Sequence, residues 1–157
     1  MKQLADESPG MPQMWLEHDT WVAPQLRDEL RSLPGKRLGM LQIFRMSARL
    51  VGGRWRSSDA LTENRRSDGY QKVRKGTWLW GSNAVLFPWN AIEHLRENPP
   101  PPKGLSCSPD VRFSKQLGDA GFERWCMNPS MAQTDTSLPS STGHNVTPRM
   151  ASDTYVE

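Results

Sequence analysis

Apolar residues along this chain fall into short runs separated by polar stretches rich in proline and glycine. Met14-Trp15-Leu16 is the first and reads as a short buried strand. Leu26, Leu30 and Leu33 recur at i, i+4 and i+7, which predicts a helix over Pro24–Leu33. Pro24 suits its first position and Pro34-Gly35 ends it. Leu38–Met46 is a mixed apolar run consistent with a half-buried strand. Thr77–Phe87, with Trp78, Trp80, Val85 and Phe87, is the strongest strand signal, interrupted by Gly81-Ser82-Asn83. A helix over Asn90–Glu97 follows Pro88, with Ala91, Ile92 and Leu95 as its buried face. Another opens with Ser108 as N-cap and Pro109 as first residue, buries Val111, Ser114 and Leu117, and stops at Gly121. Phe122–Met127 reads as a last strand, and Lys2–Glu7 as a short leading helix. Together these elements predict a mixed α/β domain whose small sheet contains Met14–Leu16, Met40–Phe44, Thr77–Phe87 and Phe122–Met127.

Composition narrows the picture modestly. The 157 residues suffice for one domain with a real core. That domain is expected over residues 1–137, with a Ser/Thr/Pro/Gly-rich tail, 138–157, expected to be disordered. The four consecutive prolines Pro99–Pro102 read as an extended connector within the domain. No run approaches the ~20 apolar residues of a membrane span, and the N-terminus has no signal-peptide core. Cys107 and Cys126 form neither a metal-spaced pair nor a disulfide framework, so a cytoplasmic setting is the expectation. The sequon Asn145-Val146-Thr147 gains no meaning without a secretory signal. A net charge of +3 fits a phosphate-bearing partner without identifying one.

Candidate chemistry begins at the end of the first strand. In an extended chain Glu17 and Asp19 would point to one side, with alpha carbons roughly 6.6 Å apart. Two carboxylates so aimed suit a hard divalent cation, Mg2+ or Mn2+, whose shell phosphate oxygens and water complete. The same pair also reads as an ordinary solvated turn. Gly81, Ser82 and Asn83 could approach a ligand closely and hydrogen-bond sugar hydroxyls, while Trp78 or Trp80 offers a flat face to a pyranose or simply packs in the core. Asp110 falls in the first turn of its helix, where the dipole favours the ionised form of an acid that could accept a proton. From Ser57 to Lys75 the chain reads as a polar loop. Arg54, Arg56, Arg65, Arg66, Lys72, Arg74 and Lys75, interleaved with Trp55 and Tyr70, could bind nucleic acid or form a solvated surface.

The stretch Met14–Trp21, Met-Trp-Leu-Glu-His-Asp-Thr-Trp, resembles the metal-binding acidic motif of GT-A glycosyltransferases, most closely the Leu-Glu-Asp-Asp type of family 25. Gly76–Leu95 is similar to that family's glycine-led strand and helix, Ser108-Pro109-Asp110 to its later acid, and Asn128–Gln133 to its closing Pro-Ser-x-x-Gln segment. The resemblance covers about Met11 to Ser137. It implies a truncated GT-A-like fold and metal-dependent transfer of a hexose from a nucleotide-sugar, a UDP-sugar being favoured. The acceptor would be a hydroxyl on a glycan, protein or nucleic acid. Glu17 and Asp19 would hold Mn2+ or Mg2+, Asp110 would act as base or acceptor clamp, and Trp80 to Asn83 would contact sugar. Many relatives carry a histidine after the closing glutamine; here Thr134 and Asp135 follow, so Asp135 is the oxygen ligand that could take its place, with His144 more remote. Sixteen residues precede Glu17, fewer than a βαβ nucleotide-binding unit requires. The expectation is therefore a fragment, a partner chain supplying that half, or a reduced relative. The alternative reading is non-catalytic: a degenerate transferase, or a nucleic-acid binder using Arg54–Lys75.

Overall fold

The computed structural model describes residues 7–33, 37–43, 49–51, 54–56, 69–76, 79, 84–99 and 109–135. Strands β1 (Gln13–Leu16), β3 (Leu38–Gln42), β6 (Gly69–Lys72), β7 (Ala84–Phe87) and β8 (Glu123–Asn128) form one mixed sheet in the order β1-β7-β3-β8-β6. Only β3 and β8 run parallel; the other pairings are antiparallel. Each of the four expected strand regions contributes to this sheet, but Thr77–Phe87 does so only over Ala84–Phe87: Leu79 is not in a strand, and residues 44, 77, 78 and 80–83 lie outside the described residues. Two antiparallel ribbons accompany it. One joins β2 (Thr20–Val22) to β9 (Ala132–Thr134), the other β4 (Arg49–Val51) to β5 (Arg54–Arg56).

Alternation along the strands sends side chains to two cores, as the period of two requires. Val85, Phe87, Met40 and Cys126 face one side, where α2 (Trp89–Glu97) and α3 (Pro109–Asp119) cover them with Ile92, Leu95 and Leu117. Ala84, Leu86, Leu41 and Met127 face the other, where the short helix α1 (Leu26–Glu29) and residues Met131 and Ala132 close the core. A register shift between Leu38 and Met40 lets both Leu38 and Leu41 reach that second core. With both faces covered, β3 is buried at every position, so the expectation of a half-buried strand is corrected. Close packing also explains Gly39: a Cβ there would lie 2.5 Å from Cβ of Phe122.

Other expectations change too. The helix expected over Pro24–Leu33 is one turn, Leu26–Glu29. Leu33 precedes Pro34, whose ring disfavours helical backbone before it, and Leu33 is exposed. Strand β1 is an edge rather than a buried strand, with Trp15 and Leu16 each 45% exposed. The stretch read as a loop up to Lys75 contains β6, which pairs with β8 and buries Gln71. Tyr70 on β6 donates its hydroxyl to the Glu29 carbonyl at 2.6 Å, tying that strand to α1. Burial, followed by the charge of Glu29, raises the Tyr70 pKa. By contrast α2 and α3 match the sequence reading closely, with Ala91, Ile92 and Leu95, and Val111, Ser114 and Leu117, all buried. Gly121 follows α3 with φ of +80°, a conformation glycine adopts without strain. The leading helix at Lys2–Glu7 and the tail 138–157 lie outside the described residues, apart from Glu7.

Candidate functional site

The site is built at the end of the sheet where β1, β3 and β8 finish and β7 begins, since Leu16 pairs with Ala84 and Gln42 pairs with both Val85 and Cys126. Beyond Leu16 the chain does not continue as a strand. The Thr20 N–H donates to the Glu17 carbonyl at 3.2 Å, closing a turn over Glu17, His18 and Asp19. This corrects the extended Glu-x-Asp geometry: the two acids sit at the start and third position of a turn, not on one side of a strand. Asp19 is buried, at 8% exposure, and Glu17 is half-buried.

The turn delivers the chain into β2, which pairs with β9 in the register Thr20 to Thr134, Trp21 to Gln133 and Val22 to Ala132. The Asp135 N–H then donates to the Asp19 carbonyl at 2.7 Å. Asp19 and Asp135, distant in sequence, thus become backbone neighbours at one corner. Glu17 lies at the other end of the turn. Among the described residues no group of three or more His, Cys, Asp or Glu side chains is gathered as a metal-binding set.

The closing segment reaches this corner because its first half is pinned across the end of β3. The Asn128–Pro129 peptide is cis. Ser130 is fully buried; its hydroxyl donates to the Ala132 carbonyl at 2.6 Å and lies 3.2 Å from the Ile43 carbonyl. The Met131 N–H donates to that same Ile43 carbonyl at 3.2 Å, and the Ala23 N–H to the Met131 carbonyl at 2.9 Å. Ser130 was legible only as part of the closing Pro-Ser segment; nothing in the local sequence marks it as the clamp.

Other candidate residues are described less completely. Trp80, Gly81, Ser82 and Asn83 lie outside the described residues, but both flanks are fixed. Ala84 sits at the same sheet end, and the Leu79 N–H donates to the buried Ser114 hydroxyl on α3 at 2.8 Å. Asp110 is the second residue of α3, and its side chain is outside the described set. Because α3 turns back into β8 through Ala120 and Gly121, it starts toward the end of the sheet where β8 finishes. Arg124 on β8 lies under α3, donating to the Ser114 carbonyl at 3.3 Å and the Arg74 carbonyl at 3.4 Å. Burial lowers its pKa, while the charge of Asp119 acts the other way. His144 and Cys107 lie outside the described residues.

The chain matches no family model, no curated protein and no solved structure. Among the described residues no helix is long and apolar enough to cross a membrane.

Proposed function

We propose that the corner formed by the Glu17–Asp19 turn and Asp135 binds the diphosphate of a nucleotide-sugar through a divalent cation, in a GT-A-like hexosyltransferase. One observation supports this reading above the others. The Asp135-to-Asp19 backbone bond brings together the stretch that resembles a metal-binding acidic motif and Asp135, the acid offered as substitute for the histidine that many relatives carry after the closing segment. Two carboxylates with substrate phosphates and water suit Mg2+ or Mn2+, which seldom take an all-protein cage. The donor set therefore fits without a third protein ligand. Asp19 and Asp135 would hold the cation, with Glu17 reaching it directly or through water. Bound there, the cation would neutralise the departing diphosphate. The remaining work falls to the chain: Asp110, at the start of α3, would accept the proton of the acceptor hydroxyl, and Trp80 to Asn83 would hold the sugar. A partner chain could supply further contacts to the base and ribose.

The nucleic-acid reading draws less support. Of its basic residues, Lys72 is engaged by Glu123 at 2.6 Å on the surface of the sheet, and Trp125 adds a cation–π contact at 5.9 Å.

Calorimetry with UDP-glucose separates the readings. Wild-type protein should bind better with Mn2+ than with EDTA, and Asp19→Asn, which removes charge at nearly constant shape, should abolish the metal-dependent part. Binding that ignores the metal, or no binding by a demonstrably folded chain, would sink the proposal and favour a non-catalytic relative. Nucleic-acid binding would instead weaken log-linearly with salt.

A further inference from the structure

Trp21 is the most exposed large apolar side chain among the described residues, at 62%. Its strand neighbours Thr20 and Val22 are half-buried, with Val22 packed against the core, so the outward position of Trp21 follows the alternation along β2. Directly across the ribbon stands Gln133, half-buried, with its Oε1 accepting the Thr134 N–H at 3.2 Å. Cross-strand partners of this kind have Cβ atoms about 4.5–5.5 Å apart. The pair thus places a broad indole face beside an amide on one side of the two-stranded ribbon. An aromatic plane bordered by a hydrogen-bonding amide is suited to a ring that is apolar on its faces and polar at its rim.

Position sharpens the inference. Trp21 follows Asp19 by two residues and Gln133 precedes Asp135 by two, so the pair stands next along the ribbon after Thr20 and Thr134. A sugar attached to, or approaching, a diphosphate held at the Asp19–Asp135 corner would lie at about that remove. We infer that Trp21 and Gln133 form a pyranose-binding platform beside that corner, with the indole stacking on the ring and the Gln133 amide contacting a hydroxyl. This rests on the corner being the diphosphate site. The ring could belong to the donor or to a saccharide acceptor, and the two sources are separable by experiment.

The test uses the full chain, its Trp21→Ala and Trp21→Phe variants, and three probes titrated calorimetrically with Mn2+: UDP, UDP-glucose and maltotriose. An exposed residue should be replaceable without unfolding, which circular dichroism checks, and Trp21→Phe keeps an aromatic face. A stacked ring lost with the indole should weaken binding about tenfold, equivalent to about 1.4 kcal/mol. Weakening for UDP-glucose but not UDP, partly restored by phenylalanine, supports the platform and assigns it to the donor. Weakening for maltotriose alone supports it and assigns it to the acceptor. If Trp21→Ala leaves both sugar-bearing probes unchanged, or if neither binds the wild type, the platform is wrong. If UDP fails to bind while maltotriose binding depends on Trp21, the platform stands and the diphosphate corner falls.

Discussion

Removing the Ser114 hydroxyl tests whether α3 holds the chain that enters the candidate sugar-binding stretch. Ser114 is fully buried, and its oxygen accepts the N–H of Leu79, itself 2% exposed, at 2.8 Å. Ser114→Ala would strand that amide in the core, a desolvation penalty of about 1–3 kcal/mol. Against it stands the better helix propensity of alanine, roughly 0.5 kcal/mol at an interior position. The net loss is then about 0.5–2.5 kcal/mol. For a chain of this size each kcal/mol lowers Tm by roughly 2–4 °C. Urea unfolding should therefore show a lower midpoint with an unchanged slope, because the surface exposed on unfolding is the same. Amide hydrogen exchange provides the local readout: Leu79 should exchange about tenfold faster for each ~1.4 kcal/mol lost, beyond any change at Gln42 in the sheet centre. A variant as stable as wild type would refute the reasoning. So would a destabilised variant in which Leu79 exchange rises no more than that of Gln42, since the lost energy would then have another source.

Gly39→Ala would force a Cβ to within 2.5 Å of the root of the Phe122 side chain, which cannot swing away as a side-chain tip could; a loss of about 1–3 kcal/mol in chemical unfolding is expected. Glu123 has its pKa lowered chiefly by the hydrogen bond from Lys72. Its contribution to stability is thus present above the ordinary glutamate pKa and lost as pH falls through the lowered folded value. Glu123→Gln should flatten that acid limb of a stability-against-pH profile while leaving the profile's shape above it unchanged.

Legibility in the sequence followed the length and periodicity of each element. Helices α2 and α3 were readable because their apolar residues repeat at helical spacing between proline and glycine stops. The sheet strands were readable as apolar runs, but their order was not, because pairing β3 with β8 depends on contacts remote in sequence. Burial of β3 and exposure of β1 follow from that order, so both were missed. Helix α1 is shorter than its leucine spacing predicts, and Leu33, the last residue of that spacing, is exposed and has no core to pack against. Strands β2 and β9 carry too little pattern to be seen: Thr20–Val22 and Ala132–Thr134 are three residues each and are strands only because they pair. Asp19 and Asp135 become backbone neighbours, a juxtaposition that no local pattern carries, and Glu17 and Asp19 lie in a turn where the sequence reads as strand. That error is physical: once β1 ends, a reversal must carry the chain to β2.

The β2–β9 ribbon also bears on how the protein is made. Strand β2 emerges early in synthesis, and its only partner among the described residues comes near position 132. At ~5–20 residues per second a ribosome takes roughly 5–20 s to produce the intervening chain. Once β7 has emerged, past residue 87, β1 and β3 can begin to pair with it, but β2 still awaits its β9 partner. Such long-range closure also slows refolding of the finished chain, since the loop must close before its contacts can form. The corner at which Asp19 meets Asp135 therefore cannot close until residue 135 is made, and synthesis halted before residue 132 leaves a nascent chain with much of its sheet and without that corner.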